Sequence, residues 1–301
     1  DRSYIEIKLV EGTEIEEVRI IEKRQDAFIS TITPIKTEVI NEAEIAKDAC
    51  CDLAGCFNTS ATVQPNVTNI ITNSQELRIL GLSGVYNQLL VDGFPLIQGL
   101  SYTYGVSTYP GTLIENIYVS KGANSVLQGY ESISGQINVI LKDPENCDTV
   151  LVNTYMNGFA EKQFNLNYAD KKARLRKIAS LHFALPGNRV DRDLDNFLDL
   201  PLLKRMMIYT KTRYKDEDSL GLSSEFGYRF VSESRMGGQK NINEYWDPGK
   251  GIGYYQSVHY NQGELFGKFR YRLDPDQSIA LISSASGHAQ YSTFGMTKYA
   301  G

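Results

Sequence analysis

The sequence has no run of about 18 apolar residues, the length at which a helix can cross a bilayer. A helical membrane span is therefore excluded. A membrane β-barrel is not excluded, because barrel strands alternate apolar and polar residues and never give a long apolar run. The first four residues lack the basic-then-apolar pattern of a secretion signal, so we expect a mature or trimmed N-terminus.

Cysteine and histidine are scarce, with four and three residues among 301. The spacing of Cys50, Cys51, Cys56 and Cys147 fits no zinc pattern, which argues against a thiolate metal site. Cys56 could pair with Cys50 or Cys51 in an oxidising compartment, and buried thiols are the equal alternative. The histidines are scattered and no serine or cysteine has a local base, so an enzyme is not expected.

A basic excess is also missing, since 31 basic and 36 acidic side chains give a net charge of −5. Nucleic acid is therefore not an expected partner, because binding phosphates requires positive charge. The abundant residue is tyrosine, with 19 against only nine prolines. Tyrosine favours strands and interfacial positions, so the composition predicts a β-rich chain.

The N-terminal half predicts a small α+β domain. Asn41 followed by Glu44 has the form of a capping box and predicts a helix from residue 42 to about residue 57. Short β-prone segments punctuated by glycine follow it. The predicted strands are 77–82, 88–91, 114–120 and 135–141.

After Asp148 the pattern changes to longer strands with regular alternation. Phe226, Tyr228 and Phe230 share one face of such a strand, and Arg229 and Val231 lie on the other. In a soluble sandwich the apolar face would cover a core, whereas in an outer-membrane barrel it would face lipid. Alternation alone does not separate these two folds.

The lengths of the connections favour the barrel. The predicted strands are 149–158, 161–170, 173–185, 205–214, 219–232, 262–273 and 277–288. Tight turns are predicted at 170–172, 216–218 and 274–276, and long connections at 186–204 and 233–261. Tight turns at one rim and long loops at the other are typical of outer-membrane barrels, although the first loop is an exception.

Four motifs occur in register within the N-terminal half. They are Arg-x-x-Gly (Arg78, Gly81), Asp-Gly-x-Pro (Asp92, Gly93, Pro95), Ile-Glu-x-Ile-x-Val-x-Lys-Gly (Glu115, Lys121, Gly122) and Gly-x-Ile-Asn (Gly135, Asn138). In this order they resemble the plug domain of TonB-dependent outer-membrane transporters. The chain departs from the family at Lys121, which is usually Arg, and at Ser134, which is usually Gly.

This resemblance implies a membrane β-barrel of about 22 strands with the α+β plug in its lumen. About seven strands would be present here, with the others beyond Gly301. The implied function is TonB-dependent uptake of a scarce nutrient (a chelated metal, a vitamin or an oligomer) across the bacterial outer membrane. The implied partners are TonB, the nutrient and outer-membrane lipid. A structural subunit of an envelope secretion or surface assembly, and a soluble periplasmic binding module, are the alternatives.

The resemblance also divides the chain. Residues 1–13 resemble the last strand of the regulatory-type domain that precedes the plug in many Bacteroidota members, and 14–36 would hold the TonB box and a linker. The plug would cover 37–145 and the first barrel strands 146–301. A TonB box adds a strand to the edge of the TonB sheet, and a plain linker strand is the alternative. The box residues would be Glu16, Glu17, Val18, Arg19 and Ile20.

Two stretches, 64–69 and 98–104, match apical loops of the plug by their place among the motifs. In the family, substrate lies between these loops and the outer loops of the barrel. Tyrosine and asparagine combine apolar area with hydrogen bonding, although both are also ordinary loop residues. The candidate substrate contacts are Asn66, Asn69, Gln98, Tyr102 and Tyr104.

Three charges of the plug motifs, Arg78, Glu115 and Lys121, are expected at the boundary between plug and barrel, where a polar lumen wall could pair with them. Ordinary solvated strand charges are the alternative. Buried pairs of this kind add little net stability, because desolvation opposes them.

The first long loop has four aspartates within nine residues. Their spacing follows the first part of an EF-hand calcium loop, with Asn196 where that loop prefers glycine and Leu202 where it has a bidentate Glu. A structural Ca²⁺ is expected here, and a solvated acidic loop is the alternative. No cofactor is expected for transport itself. The candidate ligands are Asp191, Asp193, Asp195, Asp199 and the carbonyl of Phe197.

Overall fold

The computed structural model describes residues 28–30, 37–47, 51–96, 102–122, 132–172, 174–215, 221–242, 253–274, 277–295 and 297–300. Within these residues a six-stranded sheet, an eight-stranded sheet and a two-stranded hairpin form the architecture. None of the described helices is long and apolar enough to cross a membrane.

The N-terminal part is an α+β domain. Its strands are β1 (Phe28–Ser30), β2 (Thr37–Asn41), β3 (Val63–Asn69), β4 (Ser74–Ile79), β5 (Asn87–Val91), β6 (Phe94–Pro95), β7 (Ile114–Lys121) and β8 (Gly135–Leu141). The main sheet has the order β1-β2-β7-β8-β5-β6, and β3 with β4 forms the hairpin. Only β5 and β8 pair in parallel; the other described pairs are antiparallel.

Helices in this domain are short: α1 (Glu42–Lys47) and α2 (Tyr102–Gly105), with 3-10 turns at Gly55–Phe57, Gly84–Tyr86 and Gly111–Leu113. The predicted start of α1 is confirmed, since the Asn41 side-chain oxygen accepts the N–H of Glu44 at 3.1 Å. The predicted extension to about residue 57 is wrong. The carboxylate of Asp52 accepts the N–H of Gly55 at 3.0 Å instead and caps a separate short turn.

The strand predicted at 77–82 is shifted, because β4 begins at Ser74 and ends at Ile79. Leu80 and Gly81 then have positive φ values of 56° and 76° and turn the chain away. The stretch 64–69 was predicted as an apical loop, but it is strand β3, since it pairs with β4 along most of its length. The residues of this stretch are mostly polar, so the sequence did not indicate that it forms a hairpin with β4.

The core of this domain is formed by apolar side chains that alternate along the sheet strands. Each such side chain contributes about 1.5–3 kcal/mol when fully buried. Side chains with no more than 1 % exposure include Leu53, Phe57, Leu77, Leu89, Ile117, Val119, Ile137 and Val139.

The C-terminal part is one antiparallel sheet of eight strands in chain order. The strands are β9 (Val150–Met156), β10 (Lys162–Lys171), β11 (Leu175–Leu185), β12 (Leu202–Lys215), β13 (Gly221–Gly238), β14 (Tyr255–Asp274), β15 (Gln277–Phe294) and β16 (Thr297–Ala300). All seven predicted strands are present, and β16 is an addition.

Four of the strands, β12 to β15, are longer than predicted. β13 continues to Gly238 and pairs there with Tyr255 of β14, so the connection predicted at 233–261 covers only 239–254. β15 continues to Phe294. Many of the extra residues are polar and therefore resembled a loop, but side chains such as Glu233 and Arg235 are buried against the first domain.

In this sheet the polar face is buried and the apolar face is exposed, which is the opposite of a soluble sandwich. On β10 the polar Asn165 and Asn167 are buried, whereas Phe164 and Tyr168 are exposed. Because a sandwich buries its apolar face, this polarity indicates a barrel wall whose polar face lines the lumen. The same exposure is found for Phe226, Leu265, Phe269, Tyr271, Ile279 and Leu281. The structure is therefore a plug seated against part of a β-barrel.

Candidate functional site

The plug lies against the inner face of β12, β13 and β14, where alternation directs charged side chains inward. These strands contribute both signs of charge. The basic residues are Arg205, Lys211, Arg213, Arg229, Arg235 and Lys268, and the acidic residues are Glu225, Glu233 and Glu264.

Asp92, in the turn between β5 and β6, has the most contacts with the barrel among the motif residues. One carboxylate oxygen accepts from Lys211 Nζ at 3.0 Å and from the Tyr209 hydroxyl at 3.2 Å. The other oxygen accepts the N–H of Leu141 at 3.0 Å, within the plug. The carbonyl of Asp92 accepts from Lys268 Nζ at 2.5 Å. This turn is thus bound to two barrel strands.

A second group surrounds Glu233 on β13. Its carboxylate accepts from Arg205 Nε at 2.5 Å, from Tyr260 at 3.0 Å and from Arg235. Both guanidinium groups then reach the plug at Ser107: Arg205 donates to its carbonyl and Arg235 to its hydroxyl, each at 2.5 Å. Glu233 therefore orients two arginines that hold the plug backbone.

Arg235 also grips the β3–β4 hairpin, since it donates to the carbonyl of Asn73 at 3.0 Å. Its guanidinium lies 5.5 Å from the centre of the Tyr104 ring, within the range of a cation–π contact. Arg229, on the same face of β13, donates to the Thr108 hydroxyl at 2.9 Å, and its guanidinium carbon lies 4.3 Å from the centre of the Tyr109 ring. The arginines thus bind the plug through polar atoms and aromatic faces together.

The ion pairs between plug and barrel have a consistent polarity in the described part of the chain. In each, the plug supplies the acid and the barrel the base. The pairs are Asp92–Lys211 at 3.0 Å, Glu145–Arg176 at 2.7 Å and Asp143–Arg213. The positive inner wall therefore complements a plug whose contact face is acidic.

Two plug carboxyls near these contacts have altered pKa values. Burial raises the pKa of Asp52, and the positive charges of Arg205 and Arg235 only partly offset this effect. For Glu76, burial also opposes ionisation, but hydrogen bonds from Ser83, Arg78 and the Gly84 backbone outweigh it and lower the pKa. These hydrogen bonds therefore favour the ionised form of Glu76, although burial opposes it.

The charges predicted at the boundary are found elsewhere. Arg78 donates to Glu76 at 2.6 Å on its own strand, and Glu115 accepts the N–H of Asp143 at 3.2 Å, so both contacts are within the plug. Lys121 ends β7 in an exposed position. The boundary pairs use other plug acids, because the barrel wall is itself rich in cations.

The remaining motif residues shape turns and close contacts of the plug. Gly93 has a φ of 81°, and its N–H donates to the side chain of Asn138 at 3.1 Å. At Gly135 an added Cβ would lie 2.5 Å from the carbonyl oxygen of Ser120, so no side chain fits. Gly122, like Gly81 and Gly93, has a positive φ, and Pro95 is in β6.

The structure places the candidate substrate contacts in different environments. Asn69, at the end of β3, donates to Gln256 of the barrel at 2.6 Å, and Asn66 is partly exposed in the same strand. Tyr104 is 7 % exposed and packs between plug and barrel. Tyr102 begins α2, and Gln98 lies outside the described residues. Contact of these residues with substrate stays a prediction.

The acidic loop brings three of its four aspartates together. Ligand oxygens of Asp191, Asp193 and Asp195 lie within 4.8 Å of one another. One oxygen of Asp191 is buried without a hydrogen-bond partner, as expected of a side chain placed to bind a cation. Asp199 is separate, because its carboxylate accepts the N–H of Arg192 at 3.1 Å.

Two residues of the same loop have left-handed backbone conformations. Asn196, predicted to replace glycine, has a φ of 68°, and Leu194 has a φ of 63°. Phe197 forms a bridge with Gln239, which joins the loop to the next outer connection.

Several predicted features fall outside the described residues. They are the strand at 1–13, the TonB box at 16–20, Cys50 and the tight turn at 216–218. No disulfide bond links Cys51, Cys56 and Cys147 to one another. Burial raises the pKa of Cys147, which favours its neutral thiol.

Residues 31–136 match the family model of the TonB-dependent Receptor Plug Domain. Solved structures of siderophore receptors have a similar fold. These findings support the TonB-dependent receptor family. No curated protein sequence matches the chain.

Three solved structures illustrate this similarity of fold. The ferric yersiniabactin uptake receptor FyuA from Yersinia pestis is 17 % identical with a TM-score of 0.63, and the match covers 89 % of this chain and 43 % of that one. The siderophore receptor PiuA from Acinetobacter baumannii is 15 % identical with a TM-score of 0.62, over 87 % and 37 %. The ferric-catecholate import receptor Fiu from E. coli K12 is 14 % identical with a TM-score of 0.64, over 87 % and 38 %.

At these identities the comparisons establish the fold alone. The chain spans less than half the length of the three receptors.

Sequence reasoning missed the residues that join plug and barrel, such as Arg205, Lys211 and Glu233. For Glu233 a signal exists in hindsight, since on β13 it lies on the strand face opposite Phe226, Tyr228 and Phe230. On β12 the signal is weaker, because Arg205 and Lys211 share their face with Tyr209. In an outer-membrane barrel that face lines the lumen, so charges there are candidates for contact with a plug.

Proposed function

We propose that this chain is part of an outer-membrane transporter that takes up a scarce nutrient with energy supplied through TonB. Substrate binds at the rim with the long loops, TonB binds the segment 16–20, and a pull on that segment rearranges the plug to open a path. The outer-membrane location follows from the same reading, since the exposed apolar face of β9–β15 suits lipid.

One observation carries this proposal: buried polar and ionic contacts join the plug to the inner face of the barrel wall, beside an apolar cluster that plug and barrel share. Arg205 and Arg235 bind plug carbonyl and hydroxyl groups, and Lys211 binds a plug carboxylate. Buried ion pairs add little net stability compared with apolar packing. Such an interface suits a plug that must stay closed at rest and move under load.

The direct test compares cells with and without TonB that express the full-length protein. We expect surface binding of the nutrient in both strains but accumulation only in the strain with TonB. Equal accumulation of the nutrient in both strains would contradict the proposal. A panel of labelled ferric siderophores is the first probe, because FyuA is a ferric yersiniabactin uptake receptor, PiuA a siderophore receptor and Fiu a ferric-catecholate import receptor.

The substrate class is a chelated metal in this proposal, with a vitamin or an oligomer as further candidates for the same panel. We also retain the Bacteroidota-type assignment, which rests on the resemblance of residues 1–13 to the end of a regulatory-type domain. A full-length sequence that places a different domain directly before the plug would contradict that assignment.

A structural subunit of an envelope secretion or surface assembly is the alternative function. It would keep the barrel and its plug but would not need TonB. Co-purification of the full-length protein with a stable envelope partner, together with TonB-independent function, would favour it.

We further propose that the acidic loop binds one structural Ca²⁺ through Asp191, Asp193 and Asp195. Asp199 and the carbonyl of Phe197 would complete the site after a small rearrangement, since Ca²⁺ takes six to eight oxygen ligands at about 2.3–2.6 Å. The partnerless buried oxygen of Asp191 supports this reading.

Calcium should protect this loop from trypsin, because Arg192 lies between two of the ligands. We expect cleavage after Arg192 to slow with half-saturation at about 10⁻⁴–10⁻³ M Ca²⁺. Asp193→Asn should weaken the protection, whereas Asp170→Asn, in the opposite turn, should leave it unchanged. Equal cleavage rates with Ca²⁺ and with a chelator would contradict the site.

A further inference from the structure

We propose that Asp92 is a positioning residue that holds the β5–β6 end of the plug on the barrel wall while the opposite edge is displaced during transport. The inference rests on the proposed function, because it requires that the plug moves during transport while the turn at Asp92 stays on the barrel wall. It concerns the Asp-Gly turn, which sequence alone explains only as a local hairpin.

The turn is built to present Asp92 to the barrel. Asp92 and Gly93 both have positive φ, at 50° and 81°, as a tight two-residue hairpin requires. The conformation is unfavourable for a residue with a side chain, so contacts of Asp92 must offset it. Its carboxylate and carbonyl together bind Tyr209 and Lys211 of β12 and Lys268 of β14.

The pair formed by Asp92 and Lys211 is nearly dry. The two side chains are 7 % and 2 % exposed, and Lys211 Nζ also donates to the plug carbonyl of Leu141 at 3.2 Å. Removal of either charge leaves the other buried without its partner, which is far more costly than removal of both. Loss of one partner should therefore weaken the contact strongly. The pair also favours this one position of the hairpin on the barrel wall.

The sheet order separates this contact from the pulled end. The chain enters the plug through β1 and β2, at one edge of the sheet, and β5 and β6 form the other edge. On the entry side, the ion pair of α1 joins Lys142 to Glu42, whose side chain is 54 % exposed. A pair with one exposed partner contributes little. A pull from the N-terminus therefore loads β1 and β2 first and reaches the Asp92 contact, at the far edge of the sheet, last.

The test uses Asp92→Asn, Lys211→Met and the double variant in the full-length protein, in cells with and without TonB. The probe is a glycopeptide antibiotic too large for general porins, so no substrate need be known. We expect each single variant to raise antibiotic sensitivity on the order of tenfold, since an unpaired buried charge weakens the contact strongly. This leak should require TonB. The double variant should be tighter than either single variant, because no charge is left unpaired.

Tyr209→Phe removes only one hydroxyl contact, so cells with this variant should be less sensitive to the antibiotic than cells with the charge variants. This graded effect distinguishes a weakened contact from a general folding defect. Lys172→Gln, an exposed pair partner in the β10–β11 turn, is the matched control and should not leak. Single variants as tight as wild type, or a leak that is equal without TonB, would overturn the role of Asp92. Failure of the proposed function would differ, since wild-type uptake would then be independent of TonB.

Discussion

Glu233→Gln should lower the free energy of unfolding by about 3–5 kcal/mol, the cost of breaking a buried ion pair by removal of one partner. The side chain of Glu233 is fully buried and accepts hydrogen bonds from Arg205, Arg235 and Tyr260. An amide of the same shape leaves two buried guanidinium groups without a counter-charge. Both arginines also hold Ser107, so plug and barrel should loosen together.

The measurement is denaturant unfolding of the full-length protein in detergent, with the midpoint compared at an equal slope. Glu44→Gln is the matched control, because Glu44 pairs at 3.2 Å with Lys47, whose side chain is 56 % exposed. Such a surface pair contributes about 1 kcal/mol or less. If both variants unfolded at the same denaturant concentration, the Glu233 group could not be a principal link between plug and barrel.

Local features of the fold could be predicted from sequence where the signal is local. Asn41 and Glu44 mark the start of α1 because capping depends on residues three apart. The barrel strands follow from alternation, and the end of β10 from the polar residues at 170–172. In each case the determining contacts lie within a few residues of one another.

The contact between plug and barrel could not be predicted in this way. Asp92 and Lys211 are separated by 119 residues and Arg205 and Ser107 by 98, so no local pattern joins them. The same separation explains the strands that were predicted too short. Glu233 is polar and therefore resembled a loop residue, although the plug buries it completely.

Residues 64–69 were predicted as a loop for a related reason, although they form part of strand β3; contact of Asn66 and Asn69 with substrate stays a prediction. Asn69 appeared to be an exposed apical residue, but it donates to Gln256 and fixes the hairpin against β14. A residue with both polar and apolar character serves equally well in a substrate site and in a wet internal contact. Only the position of the barrel wall distinguishes the two roles.

Deletion of Glu14–Ile20 should abolish nutrient uptake and leave surface binding of the nutrient intact. A TonB box acts as an extended strand that pairs with the edge of the TonB sheet, so its loss removes the mechanical connection. Binding should survive, because the contacts that seat the plug, such as Asp92 with Lys211, all lie outside the deleted residues. Uptake and equilibrium binding of a labelled substrate, measured on the same cells, separate the two effects.

A matched control replaces the same residues by a polar segment of equal length that contains two prolines. Proline lacks the N–H needed to pair with a sheet edge, so this variant should also fail in uptake although its length is unchanged. A glycine-free segment of alternating Thr and Val at 14–20 keeps the capacity to pair and should retain part of the uptake. If the proline variant transported as well as wild type, strand pairing at 14–20 could not be the connection to TonB. The box would then lie elsewhere in the chain, or the barrel would serve an envelope assembly that needs no such connection.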